Sequence, residues 1–494
     1  MSSEHKTASR ILSFPVEVLH LVFELLSAEL RALSLVNKEL RTQVEPFLYA
    51  NVQWLWQEAP SPPPITQLLR TISCRPHLAA YITNVHLDGM RIRGRNMAGS
   101  LPTTPISSSE LTEYTAFVQG IGVPYSDRWI RELHQGTIDA LLALLVAQLS
   151  NLRSLYLGPI FTKESQFVGM VLNSALCRPK TYRLPTFQYL RNVSFHRVVG
   201  TDGTKPKMSP RDRSKNTANV LPLFYLPNVQ SMSVTVENPD VFTWPAAHFP
   251  EPSNLTSLDL TAVREAYLGD LLSVTPNLKT LRWAWYYDYG VEDDFVSPIV
   301  NLERVAAALC HVRSTLTDLT ITADAPIGGN EQFYPAVKME GSLHALNSFD
   351  ELKRLRIPLA FLVGFVEDTT KRLQDVVPRN IEFLTITDEL GLQNDGGDYN
   401  SDWPIYEWTD SAVLTLLRTW LEDWRSCTPH LRGISILFDY IEANSGEWPP
   451  GLEAPTHGSR CASWSLPRLN RMETRLVKLY HTSRATRPYG TEPP

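Results

Sequence analysis

Along residues 14–41, FPVEVLHLVFELLSAELRALSLVNKELR, apolar side chains outnumber polar ones on almost every side. Pro15 suits the first turn of a helix, where its missing donor costs nothing, and Glu17 follows near the positive end of the helix dipole. From there Val16, Val18, Leu19, Leu21, Val22, Phe23, Leu25 and Leu26 are apolar. Glu17, His20 and Glu24, spaced three and four apart, form one narrow polar stripe. A helix covered on one side shows a polar half, so this one is expected to be covered on most sides. After Ser27 the pattern predicts a second helix, with Leu30, Leu33, Val36 and Leu40 on one face and Lys38, Glu39 and Arg41 largely on the other. Pro46-Phe47-Leu48-Tyr49 closes the segment. Two short helices cover only one side of each other. The remaining apolar surface must meet either the following domain or another protein.

Beyond this segment one phrase, L-x-x-L-x-L, returns. It begins with Ile82-Thr-Asn-Val85-His-Leu87, Leu152-Arg-Ser-Leu155-Tyr-Leu157, Leu190-Arg-Asn-Val193-Ser-Phe195 and Val229-Gln-Ser-Met232-Ser-Val234. Leu255-Thr-Ser-Leu258-Asp-Leu260, Leu278-Lys-Thr-Leu281-Arg-Trp283 and Leu316-Thr-Asp-Leu319-Thr-Ile321 follow. Leu352-Lys-Arg-Leu355-Arg-Ile357, Ile381-Glu-Phe-Leu384-Thr-Ile386 and Leu431-Arg-Gly-Ile434-Ser-Ile436 complete the series. Its alternation is that of a strand with one face buried. Several copies follow a proline and a short polar step, as in Thr275-Pro-Asn-Leu278, which stops a helix and turns the chain into a strand. Helix-like apolar stretches lie upstream, at Ile138–Leu149, Tyr267–Val274, Leu302–Val312, Phe361–Val377 and Val413–Trp424.

Helix, turn and strand repeated predict an α/β fold, an irregular leucine-rich-repeat solenoid of parallel strands alternating with helices. The spacing runs from roughly 23 to 50 residues, wider than the standard 20 to 29, and the usual Asn or Cys after the strand is mostly missing. A conventional α/β domain with chance matches is the alternative.

In such a sheet the residue between the last two apolar positions points outward. That column reads Tyr156, Ser194, Ser233, Asp259, Arg282, Thr320, Arg356, Thr385, Ser435, and the next reads Gly158, His196, Thr235, Thr261, Ala284, Thr322, Pro358, Thr387, Leu437. Both are expected to line a concave binding face, with Tyr156, His196, Asp259, Arg282 and Arg356 as substrate contacts. The stretch Trp283-Ala-Trp285-Tyr286-Tyr287-Asp-Tyr289 holds more aromatics than one strand is expected to bury. Trp285, Tyr286 and Tyr287 are therefore candidates for an aromatic contact site, against the alternative of core packing.

Composition narrows the function. With a net charge of −6, nothing global points to nucleic acid or an anionic membrane, both of which reward a basic face. No apolar run reaches the roughly 18 to 20 residues of a membrane span. The five cysteines, Cys74, Cys177, Cys310, Cys427 and Cys461, are far apart and never in CxxC spacing. They predict buried free thiols in a reducing compartment, cytoplasm or nucleus, rather than a disulfide framework or zinc site. There is no P-loop, GxSxG, HExxH or helix-opening GxGxxG. No catalytic residue, metal or cofactor is expected, although an enzyme with unrecognised residues stays open.

Residues 12–52 resemble an F-box, the module of roughly 40 to 50 residues by which F-box proteins bind a Skp-type adaptor. The resemblance rests on Phe14-Pro15, Glu17-Val18-Leu19, Val22-Phe23-Glu24-Leu25-Leu26, Leu30-Arg-Ala-Leu33-Ser-Leu35-Val36-Asn37-Lys38 and Pro46-Phe47-Leu48-Tyr49. Phe14 replaces the usual Leu and Asn37 the frequent Cys or Ser. With the repeats, the chain resembles a large class of fungal F-box proteins. That resemblance implies a substrate receptor of a cullin–RING ubiquitin ligase. Phe14, Pro15, Leu19, Val22, Phe23, Leu26, Leu30, Leu33 and Val36 would dock the Skp-type adaptor, and the repeats would hold an unknown protein substrate. The expected order is a helical module at 10–56, a linker and helix at 57–74, and repeats at 75–440 with loop insertions near 90–130, 200–220 and 388–408. A C-terminal cap at 441–484 and a disordered tail at 485–494 follow. A solenoid scaffold whose helix pair is merely a cap is the alternative.

Overall fold

The computed structural model describes residues 14–26, 29–56, 64–89, 103–162, 166–196, 217–287, 297–325, 337–368, 370–391, 406–438, 460–465 and 480–481. The chain divides into two compact units, one of Met1–Val198, Pro210–Thr235 and Thr243–Leu255, the other of Val199–Ser209, Val236–Phe242 and Thr256–Pro494.

The first unit opens with three helices, α1 (Val16–Leu25), α2 (Leu30–Val36) and α3 (Lys38–Ala50). The single second helix expected from the sequence is broken at Asn37. Its backbone is extended there, and its side chain accepts the Leu40 N–H at 2.8 Å, which caps a new helix. Pro46 lies inside α3 rather than beyond it. With this third helix the module closes a core of its own: Leu19, Phe23, Leu30, Leu40 and Val44, packed by Leu33, Phe47 and Leu48. The Phe23 and Phe47 rings meet edge to face with centroids 5.7 Å apart.

Strand β1 (Asn51–Trp56) follows α3 directly, then α4 (Ile65–Cys74) and β2 (Asn84–Gly89). Three helices come next: α5 (Ser108–Ile121), α6 (Ser126–Gln135) and α7 (Ile138–Val146), all of whose residues are buried. The unit continues with β3 (Ser154–Leu157), α8 (Pro159–Thr162), α9 (Phe167–Leu176), β4 (Asn192–Phe195) and β5 (Ser231–Thr235). Strands β1 to β5 are parallel and adjacent in chain order. The second apolar position of each phrase meets the same position of the next, Val85 with Leu155, Leu155 with Val193, and Val193 with Met232.

The insertion expected near 90–130 is mostly helical over its described part. The Ser-rich stretch that suggested a loop is a capping box. Ser107 and Glu110 satisfy each other's backbone N–H groups at the start of α5. Residues 90–102, 197–216 and 392–405, which contain most of the other expected insertions, lie outside the described residues.

The second unit runs β6 (Ser257–Thr261), α10 (Glu265–Leu272), β7 (Thr280–Tyr286), β8 (Ile299–Asn301), α11 (Leu302–Cys310), β9 (Asp318–Asp324) and β10 (Lys338–Glu340). Then come β11 (Arg354–Pro358), α12 (Leu359–Val363), β12 (Phe383–Thr387), α13 (Asp410–Glu422), α14 (Trp424–Cys427) and β13 (Gly433–Phe438). Strands β6, β7, β9, β11, β12 and β13 form a parallel ladder with Leu258, Leu281, Leu319, Leu355, Leu384 and Ile434 aligned across it. Two further strands, β14 (Arg460–Ser465) and β15 (Tyr480–His481), continue it in antiparallel sense. The short strands β8 and β10 pair separately. The helix expected over Phe361–Val377 stops at Val363, because Gly364 takes a φ of +83° that a continuing helix does not allow.

Asparagines in the turns before several strands join successive phrases. Asn151 donates to the Ala80 carbonyl at 2.8 Å, Asn228 to Gln188 at 2.7 Å and Asn380 to Asp350 at 2.8 Å. These side chains satisfy turn carbonyls that lie outside the strand ladders.

Candidate functional site

Among the side chains described, the first two helices bury one stripe and leave most of the others open. Leu19 and Phe23 are 4% and 1% exposed, and Leu30 is buried with them. Phe14, Pro15, Val18, Leu21, Val22 and Val36 are exposed, Leu25 is 85% exposed and Leu35 80%. Leu26 and Leu33 are half-buried. Leu19, Phe23 and Leu30, expected at a docking surface, belong instead to the core of the module. Val18, Leu21, Leu25 and Leu35, outside the expected docking set, form part of the open apolar surface. A helix that is apolar almost all round does not disclose which stripe turns inward. Among the described side chains, its expected cover on most sides is cover on one. Phe23 also lines an open groove of about 680 Å³ with Phe47, Tyr81, Asn151, Arg153 and Tyr189.

In the first unit, Gln53, His86, Tyr156, Ser194 and Ser233 form one cross-strand row. The His86 ring stacks on Tyr156 with centroids 4.1 Å apart and planes 6° from parallel. On the other side, His196 lies 6.0 Å from Tyr156 and shares a 3.2 Å hydrogen bond between its Nε2 and Ser233 Oγ. Burial, and then the negative charge of Asp88, push the Tyr156 hydroxyl above its ordinary pKa. Tyr156 and His196 thus come together, joined by His86, whose place in the row follows from its own phrase.

In the second unit the corresponding row is Asp259, Arg282, Thr320, Arg356, Thr385 and Ser435. Arg282 lies 4.0 Å from Asp259, and Arg356 Nη2 donates to Glu389 Oε1 at 3.4 Å. Glu389 also accepts from the Thr387 hydroxyl at 2.8 Å. Burial pushes the Glu389 carboxyl up, against the pull of Thr387 and Arg356. Two residues earlier on the same face, Arg354 meets Asp318 at 3.3 Å and covers the exposed Phe383 ring. The column after the row does not stay outward, since Thr235, Pro358 and Thr387 are buried.

The aromatic cluster is largely core. β7 pairs with β9 as far as Tyr286, three residues beyond its phrase, so the strand alternation continues through the cluster. Trp283 and Trp285 turn inward and are fully buried, while Tyr286 and Tyr287 are half-buried. Trp285 stacks beneath the Arg264 guanidinium, 4.6 Å from its ring centroid. It is not a surface contact.

Among the described residues no group of three or more His, Cys, Asp or Glu side chains is placed to hold a metal ion, and no helix is long and apolar enough to cross a membrane. The described thiols are less hidden than expected. Cys74 and Cys310 are exposed, and Cys177 and Cys427 are half-buried. Burial pushes the Cys177 thiol to about 12. No protein-family model matches the chain, and a search of curated proteins finds no match either.

Proposed function

We propose that the chain is a substrate-recruiting adaptor of a Skp–cullin–F-box type ubiquitin ligase. Its helical module is read as an F-box docking a Skp-type adaptor, and its parallel sheets as a degenerate leucine-rich solenoid holding a protein substrate. The observation that carries this reading is the open apolar surface of α1 and α2 on a module whose own core is already closed. Leu25 and Leu35 are among the most exposed large hydrophobic side chains described, and such surface marks a site of protein association. Polar sheet faces with aromatic and arginine side chains support the second half of the reading. The chain then contributes no chemistry. It raises the rate of ubiquitin transfer by holding substrate beside the charged enzyme. The compartment is the reducing one where such ligases work, cytoplasm or nucleus.

The test is capture of a purified Skp-type adaptor by the full chain, beside a Leu25→Glu/Leu35→Glu variant whose fold is checked by circular dichroism. Capture by the wild type and its loss in the folded variant is the expected result. Failure of the folded wild type to capture any Skp-type adaptor overturns the reading and leaves a binding scaffold without a ligase role.

A further inference from the structure

On the sheet face of the second unit, Arg282 of β7 and Arg356 of β11 stand on either side of Thr320 of β9, all three in register. Neighbouring strands lie about 4.8 Å apart, so the two arginines leave the backbone about 10 Å from each other with one short hydroxyl side chain between them. Both are accessible, with side chains 62% and 39% exposed. Their donors are poorly satisfied. Among the described residues Arg282 makes no hydrogen bond, and its carboxylate neighbour Asp259 is at the limit of ion pairing, 4.0 Å away. Arg356 makes one long bond, to Glu389 at 3.4 Å, and its Nε is buried without a partner. A guanidinium carries five N–H donors and serves two acceptors at once, so neither existing carboxylate fills its capacity.

We infer that this row is a carboxylate-binding station, which seats an Asp or Glu side chain of a protein substrate over Thr320 between Arg282 and Arg356. The inference rests on the reading of this face as a substrate-holding surface. Charge selects a carboxylate over a phosphoryl group. Asp259 and Glu389 flank the two arginines, and Asp318 lies two residues before Thr320 on the same face, held by Arg354 at 3.3 Å and the Thr317 hydroxyl at 2.7 Å. One further negative charge is matched by the donors left open. A phosphoryl group brings nearly two charges into the reach of three carboxylates.

The test uses the full chain and a hexaglutamate peptide bearing a neutral fluorophore, read by fluorescence anisotropy at low salt, beside hexaglutamine and phosphoserine peptides with the same label. The glutamate peptide binds and the glutamine peptide does not. R282Q and R356Q each weaken binding about tenfold, and Thr320→Val weakens it by less. All three variants keep the wild-type circular dichroism and capture the Skp-type adaptor as the wild type does. The inference is overturned by a folded wild type that fails to bind hexaglutamate, by R282Q and R356Q that leave its binding unchanged, or by a phosphoserine peptide that binds more tightly through the same arginines. The two readings fail separately. Adaptor capture without glutamate binding removes only the carboxylate station. Arginine-dependent glutamate binding without adaptor capture removes the ligase role and leaves the station in place.

Discussion

The Asp139 carboxylate caps a helix three elements further along the chain, accepting the Phe167 backbone N–H at 2.7 Å. Asp139 lies in the first turn of α7, and Phe167 begins α9. The same carboxylate accepts the N–H groups of Gln166 at 2.8 Å and Val168 at 3.3 Å. It satisfies donors at the start of α9 that have no partner within the helix, and its charge complements the positive helix end. Asp139→Ala leaves buried N–H groups unpaired and is expected to cost about 3 kcal/mol, measured by urea unfolding followed by tryptophan fluorescence. Asp139→Asn, with one acceptor oxygen left, costs less.

Glu45 ties α3 to the residue after α4. Its carboxylate accepts from Arg41 Nε at 3.0 Å and Arg75 Nη1 at 2.7 Å. Burial pushes its carboxyl up, but the hydrogen bonds and charges of Arg41 and Arg75 outweigh it and hold the pKa below the ordinary 4.5. A depressed folded value adds stability that is complete above the unfolded value and is lost as pH falls through the folded one. Glu45→Gln therefore destabilises the chain by about 1 kcal/mol near pH 7. Its deficit relative to wild type shrinks below the ordinary value of 4.5 in unfolding curves recorded as a function of pH.

Arg264 and Glu265 form a buried pair between adjacent residues, with Nε–Oε2 at 3.1 Å. Arg264 also donates to the Ser297 and Ile299 carbonyls at 2.9 and 2.7 Å, and its plane covers Trp285. Arg264→Met strands a buried carboxylate and is expected to cost about 3 to 5 kcal/mol. The double variant Arg264→Met/Glu265→Met costs less than the single one. A double variant as unstable as the single one rules out the stranded charge as the cause.

Phe23 and Leu25 place a core side chain and an open one within two residues of one helix. Phe23→Ala empties the core of the helical module and is expected to cost about 3 to 5 kcal/mol. Leu25→Glu changes an exposed position and shifts stability by less than about 0.5 kcal/mol. Thermal unfolding of the two variants measures the contrast. Under the adaptor reading Leu25→Glu alone loses capture while keeping the wild-type melting temperature.

The parallel ladders were legible because each phrase carries the strand period in its own six residues and the strands follow chain order. Cross-strand neighbours such as Arg282 and Thr320 could therefore be placed in one row from sequence alone. The features that were missed depend on single side chains or on distance in the chain. Asn37 looks like an ordinary helix residue until its side chain is seen to cap α3. Ser107 and Glu110 sit in a stretch whose composition suggests a loop. Trp285 reads equally as a surface contact or as core in the sequence, because the phrase ends before β7 does. The inward stripe of α1 was hidden for a different reason: a helix apolar on all but the narrow stripe of Glu17, His20 and Glu24 has little polar surface to mark its outside. The loose ends of Arg282 and Arg356 were also invisible, since their satisfaction depends on Asp259 and Glu389 in three dimensions.

The constant offset between neighbouring strands makes each polar row a line of interchangeable stations. Within either unit, a strand contributes one outward side chain to the row and anchors itself by the leucines on the opposite face. Exchanging Ser194 or Thr385 rewrites a single station while the apolar side of the sheet keeps its packing. Adding one residue inside a strand does the reverse, because it turns every later side chain of that strand to the other face. Under the substrate-holding reading, recognition on such a row is edited letter by letter, while the spacing between letters is fixed by the fold.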